Sequence, residues 1–288
     1  MEENLALRMA KGLRTIDRHI QSEYTNDVLT IMGTISAKPR YALTSGQTGT
    51  PLLTVLNNRE DVASYYAWTH QSHHEPIATR HPKQIVTDWY VFCEALPSQR
   101  PVGQSEVVLT NYALLFPFAE DGMIGEIMWK RSVFQEPTDF EDTDIKVTAP
   151  FAAGDTRSLR LFESFAEAIA SGDESRLRAM TSEAIEAAVP DQTHDDGRLQ
   201  VVKGQSDVVE WFAGLGRDAD VLDSVSLNLI ATSWYVFDEH LWVLRAKKDG
   251  FFGRPKGQEL AVRIAGLYKL DEAGEAIDGV AAIANVDV

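Results

Sequence analysis

The feature that most constrains this chain is an internal repeat. Asp88–Leu96 reads DWYVFCEAL and Ser233–Leu241 reads SWYVFDEHL; six of nine positions are identical, and the two Trp stand 234 − 89 = 145 residues apart. The match continues upstream at an offset of 146. Asp61-Val62 answers Asp207-Val208, Tyr65-Tyr66 answers Trp211-Phe212, and Ala67 answers Ala213. A chain of 288 residues that repeats at about half its length reads as two domains of ordinary size.

Each half follows the same order of patterns. Met9, Leu13, Ile16 and Ile20 form one helical stripe, and Leu161, Phe162, Phe165 and Ile169 form its counterpart. YTNDVL and SGDESRL then break the helix, with Asn26 and Asp173 as candidate N-caps of a short second helix. A third helix carries Val208, Trp211, Phe212 and Leu215 on one face, and Val62, Tyr65, Tyr66 and Thr69 occupy the same face in the first half. Strand-like runs close each half, turned at Asp121-Gly122 and at Gly274. Helices followed by successive strands indicate α+β. The expected division is a first domain over 1–135, an acidic, proline-containing linker over 136–156, and a second domain over 157–288.

Composition excludes several functions. With 43 acidic against 27 basic residues the formal net charge is −16, which disfavours nucleic acid and anionic membrane surfaces. No apolar run approaches the length of a membrane span, no signal-peptide pattern opens the chain, and one cysteine, Cys93, excludes an internal disulfide. The expectation is a soluble, cytoplasmic protein that pairs through its own two domains or with a second copy. G-x-G-x-x-G, Walker A and G-x-S-x-G patterns are absent, so no nucleotide cofactor or serine nucleophile is indicated.

SGDESRL, NREDVASYYAW, GQSDVVEWFAGL and FAEDGMIGEIMWKRS, in this order and twice over, resemble the nuclear transport factor 2-like superfamily, with its SnoaL-like cyclases, scytalone dehydratase and dehydrochlorinase. The resemblance implies two tandem cone-shaped domains, each a curved antiparallel sheet wrapped around helices with a pocket at the wide end. It also implies a strand-borne histidine as general base, and His81 matches that position. A carboxylate late in the first helix orients the histidine in those families. Here His19 falls at that place, with Asp17 two residues earlier, and Asp27 or Asp88 as further carboxylates.

Shared residues read as duplicated packing, so chemistry is expected where the copies differ. His81 answers Ser226 at the offset of 145, and Glu167 is read opposite His19. An imidazole moves protons near neutral pH, and a phenol donates to a developing oxyanion in a dry site. The candidate catalytic residues are therefore His81, His19, Tyr66 and Tyr41. The candidate substrate contacts are Tyr24, Trp68, Trp89, Cys93, Asn111, Trp129 and His73. HQSHHEP reads as a loop without metal-site spacing, so neither a metal nor an organic cofactor is expected. In the second half Asp238, His240, Trp242 and Arg245 alternate along one strand as a second polar set, or as a contact surface. The activity expected is a cofactor-independent lyase or isomerase, by dehydration or C–C cleavage, on a hydrophobic, aromatic or polycyclic hydroxylated small molecule. The alternatives are a non-catalytic binding module and a hydrolase using Asp238 with Arg245.

Overall fold

The computed structural model describes residues 5–44, 53–72, 74–101, 105, 107–133, 153–154, 156–194 and 197–286. Two compact units divide the chain, Met1–Asp139 and Phe140–Val288. Most of the expected linker lies outside the described residues.

The first unit runs α1 (Leu5–Tyr24), α2 (Val28–Thr34), β1 (Tyr41–Thr44), β2 (Leu53–Leu56), α3 (Arg59–Ser72), β3 (His74–Val86), β4 (Tyr90–Pro101), β5 (Val108–Ala119), β6 (Gly122–Met123) and β7 (Ile127–Val133). The second runs β8 (Ala153–Gly154), α4 (Thr156–Ser171), α5 (Glu174–Ala179), β9 (Thr181–Pro190), β10 (Leu199–Lys203), α6 (Gln205–Asp218), β11 (Ala219–Ala231), β12 (Tyr235–Ala246), β13 (Glu259–Leu270) and β14 (Ile277–Val286). The fold is α+β with one sheet per unit. The strand orders are β2-β1-β7-β5-β4-β3, with β6 on β5, and β10-β9-β14-β13-β12-β11-β8. Both sheets are mixed rather than purely antiparallel. β1 joins β7 in parallel, as β9 joins β14 and β8 joins β11, because helices separate those strands in the chain.

The repeat is structural down to single hydrogen bonds. Asp27 caps α2 by accepting from the Thr30 N–H, and Asp173 caps α5 by accepting from the Arg176 N–H. The first cap is therefore Asp27. Asn26 instead takes the left-handed conformation, φ 56°, that lets the chain leave α1. Before β4, the Thr87 hydroxyl donates to the Tyr90 carbonyl and accepts from the Trp89 and Tyr90 N–H groups; Thr232 repeats all three bonds before β12. Trp89, Tyr90, Val91 and Phe92 are all buried, as are Trp234 to Phe237, so the block packs on both faces of its sheet.

In the first unit the helix-facing core contains Ile16, Ile31, Tyr41, Val62, Tyr66, Val91, Cys93, Ala95, Leu114 and Phe116. Strand alternation turns Glu94, Asn111 and Trp129 to the opposite face, where Glu94 bonds Lys83 and accepts from Asn111 at 2.9 Å. Among the described residues, no helix is long and apolar enough to cross a membrane.

Candidate functional site: a buried polar cluster in the first unit

α1 buries Gly12, Ile16, His19 and Ser22, one helical stripe with an imidazole in it. Gly12 is needed there because the Phe118 ring lies against its backbone; a Cβ would come within 2.2 Å of Phe118 Cζ. His19 Nδ1 lies 2.7 Å from Thr34 Oγ1 at the end of α2, and Nε2 lies 2.9 Å from the Tyr66 hydroxyl on α3. Arg59 at the start of α3 fixes this end of α2 by donating to the carbonyls of Met32, Ile35 and Ser36. Tyr66 also reaches Glu126, between β6 and β7, at 3.2 Å.

The proton positions follow from the bonds. Thr34 spends its hydroxyl hydrogen on the Ile31 carbonyl at 2.6 Å, so towards His19 it can only accept. Nδ1 therefore carries a hydrogen, and when the ring holds only that one, Nε2 is left to accept from Tyr66. The Tyr66 hydroxyl has one hydrogen to give: it donates to the Glu126 carboxylate at 3.2 Å, or, where it donates to Nε2 instead, the Glu126 carboxyl is protonated and supplies a hydrogen to Tyr66. Burial and the charge of Glu23 raise the Glu126 pKa to about 8, against a lowering by the Tyr66 hydrogen bond. Glu126–OH, Tyr66–OH and His19 thus form a chain that is neutral overall. Shifting its two hydrogens along the chain gives Glu126 carboxylate and His19 imidazolium, and Glu23 Oε1, 3.4 Å from Nε2, stabilises the latter. Tyr66 itself is held protonated, its pKa pushed well up by burial and by Tyr41, Glu126 and Glu23. Tyr41 packs edge-on to Tyr66, its hydroxyl sealed from solvent and, among the described residues, without a hydrogen bond of normal geometry, although the Tyr66 hydroxyl is near enough to lower its pKa against burial. The cluster meets solvent at Glu23, whose side chain is 34% exposed.

The second unit offers a comparison within the same chain. The capping aspartates set the helical offset at 173 − 27 = 146, which places Phe165, not Glu167, opposite His19, and Phe212 opposite Tyr66. Matching the parallel pairs Ala42 with Ile127 and Ala188 with Ala281 places Ala187 opposite Tyr41 and Val280 opposite Glu126. Phe165 meets Phe212 edge-on much as His19 meets Tyr66. The fold therefore packs these positions with apolar groups when no polar ones are present.

His19, Tyr66 and Tyr41 are brought together as a group, whereas His81 is not among their partners. It is exposed in the middle of β3, rather than at a strand start; partial burial lowers its pKa and the Asp17 charge raises it. A His19–His81 pair does not form, because both His19 nitrogens are engaged by Thr34 and Tyr66. The carboxylates at His19 are Glu23 and Glu126; Asp27 caps α2 and Asp88 faces Arg8 at 3.6 Å. Tyr24 bonds Thr79 at the edge of β3, Trp68 is exposed, and Trp89 packs on Tyr90. Cys93 is buried in the helix-facing core, where Asn111 and Trp129 are absent because they face the other side. His73 lies outside the described residues, and His74 belongs to a strand rather than a loop. Arg245 is exposed and donates to Glu259 at 2.6 Å, so it does not converge with buried Asp238 as a hydrolase would need.

Glu126 and Glu23 were missed because each reads as an ordinary surface carboxylate in its element. The signal for Glu126 was its apolar counterpart, Val280, hidden by loops of unequal length. One atom each from His19, Glu23 and Glu126 lie within 4.8 Å of one another, so these three are also the described residues able to hold a divalent cation.

No protein-family model matches this chain, and no curated protein does. Solved structures similar to it include an NTF2-like protein from Anabaena variabilis ATCC 29413, at 11% identity and TM-score 0.37, covering 46% of this chain and 96% of that one. A putative isomerase from Bacillus subtilis is similar at 9% identity and TM-score 0.38, covering 43% and 88%. An LEH-like epoxide hydrolase from M. tuberculosis is similar at 9% and 0.35, covering 42% and 84%. Each of these matches covers less than half of this chain.

Proposed function

We propose that this chain is a small-molecule enzyme of the lyase or isomerase kind, working by proton transfer in the first unit without an organic cofactor. The observation that carries the proposal is the Glu126–Tyr66–His19 chain, buried at positions where the second unit holds Val280, Phe212 and Phe165. Buried polar networks that the fold does not require are kept for their chemistry.

The cycle balances with these groups alone. His19 Nε2 takes a proton from substrate carbon or hydroxyl. Tyr66 turns its hydrogen to the departing or developing oxygen and is resupplied from the Glu126 carboxyl. The site is left with imidazolium and carboxylate, and once product leaves, the same chain runs backwards through Tyr66 to the starting state. The apolar surroundings, with Tyr41, Tyr65 and Cys93, suit a hydrophobic, hydroxylated and ring-bearing substrate entering beside Glu23.

The test is incubation of the full chain with a panel of hydroxylated aromatic and polycyclic compounds in deuterated water. Conversion or deuterium incorporation that falls about 10²–10⁴-fold in Tyr66→Phe supports the proposal. Binding without conversion or exchange replaces it with the binding-module reading. Activity abolished by chelators and restored by a divalent cation transfers the chemistry to a metal held by His19, Glu23 and Glu126.

A further inference from the structure

The second unit carries a polar pair of its own, in a different place. On β12, Asp238 and His240 point to the same face, and the His240 ring stacks on Trp242 at 4.3 Å between centroids. His240 Nδ1 lies 3.2 Å from Asp238 Oδ2 and 3.3 Å from Ser226 Oγ. A carboxylate oxygen accepts, so Nδ1 carries the hydrogen of this bond, and in the singly protonated ring the lone pair is on Nε2. That Nε2 and the second Asp238 oxygen, Oδ1, are both buried and both lack a hydrogen-bond partner among the described residues. Buried polar atoms are almost always paired in folded proteins, so two neighbouring unpaired acceptors require an explanation.

The first unit shows that the fold does not ask for them. At the offset of 145 the positions of Asp238 and His240 are held by Cys93 and Ala95. The sheet registers match: Cys93 faces Leu114 where Asp238 faces Gly266, and Val91 faces Phe116 where Val236 faces Tyr268. Gly266 gives up the leucine side chain and lets the Tyr268 ring lie across the strand beside it; a Cβ there would come within 2.9 Å of that ring. Tyr268 in turn packs on Phe162 at 4.8 Å and Phe165 at 6.0 Å. Two acceptors without a partner therefore sit beside aromatic rings, and among the described residues no cation faces them: Arg245 is exposed, and Arg263 lies 3.7 Å from Glu239, on the other face of β12.

We propose that Asp238 and His240 form a second small-molecule site, which binds a flat, uncharged ring with two adjacent hydroxyl groups by accepting both hydroxyl hydrogens. Catechol is the simplest such ligand. The site is independent of the proton relay in the first unit and stands or falls separately from it.

The experiment is calorimetric titration of catechol into the full chain bearing His19→Phe, Tyr66→Phe and Glu126→Val, which silences the relay, with and without His240→Gln. The expected result is one catechol per chain, weakened at least tenfold by His240→Gln. No binding before that change, or binding indifferent to it, overturns the proposal. A second measurement guards against misfolding. In an Asp238→Leu/His240→Phe variant the thermal midpoint should hold or rise, because two unpaired acceptors are gone, and catechol should no longer raise it. A midpoint lowered by several degrees would make the pair structural and also overturn the proposal.

Discussion

Phe165 meets Phe212 edge-on with ring centroids 5.0 Å apart, at the positions where the first unit sets His19 against Tyr66. The chain thus contains one packing solved twice, once with carbon alone and once with hydrogen-bonding groups. The contrast separates what the fold needs from what the chemistry needs.

Writing the second unit's residues into the first should leave it folded. His19→Phe/Tyr66→Phe/Glu126→Val removes a buried polar network as a set, leaving no member of the relay unpaired, so the denaturant midpoint should stay within about 2 kcal/mol of the parent or rise. Turnover on any panel substrate should vanish. His19→Phe alone, which strands Tyr66 and Glu126, should destabilise by about 1–3 kcal/mol.

Stability should fall as pH rises. Glu126 is raised to about 8 in the folded chain and returns to the ordinary carboxylate range when unfolded, so the folded form binds the proton more tightly. Its contribution is complete below about pH 4.3 and is lost as pH climbs through 8, by an amount on the order of a few kcal/mol that Glu23 shares. Urea unfolding at a series of pH values should show this slope, and Glu126→Gln should flatten it.

Thr34 acts on the relay through His19 alone and is a positioning residue. Replacing it by Val removes the acceptor that holds the ring hydrogen on Nδ1. Nitrogen NMR of the His19 ring should show Nδ1 protonated in the parent and a mixture of tautomers in Thr34→Val. On a panel substrate kcat should drop by about tenfold or more with KM little changed.

His81→Ala should change stability by no more than about 0.5 kcal/mol, as expected of an exposed site, and should leave turnover within a few-fold of the parent. A loss comparable to that of Tyr66→Phe would move the general base onto β3.

Cys93 should not react with a thiol reagent in the folded protein. Burial, with Glu126 and Glu94 nearby, pushes its pKa up, so no thiolate is available. Reaction should appear only as the chain unfolds, and its rate against denaturant would report the opening of this core.

Much of this was legible in the sequence because duplication makes a chain its own alignment. The repeat marked the two units, the third helices and the WYVF strands, while the family resemblance marked His19, Tyr66 and Tyr41 as candidates. What it hid depended on loop length and register. A two-residue error in pairing α1 with α4 set Glu167, rather than Phe165, opposite His19, and with it went the aromatic contrast. Glu126 and Val280 are 280 − 126 = 154 residues apart, outside either constant offset, so the carboxyl that completes the relay looked like a surface charge. His81 carried the family pattern, but burial is decided by the packing of α1 on β3, which no local spacing encodes.

Gly125 has no functional group, yet it governs the acidity of its neighbour. Its backbone runs so close to Arg40 that a Cβ would fall 1.8 Å from the Arg40 carbonyl oxygen, while the Glu126 carbonyl accepts from the Ala42 N–H at 2.9 Å. Any side chain at 125 would wedge these two segments apart, admit water to the Glu126 carboxyl and let its pKa sink towards that of an ordinary glutamate. The seclusion of the Glu126 carboxyl thus rests on the missing methyl group of the residue before it.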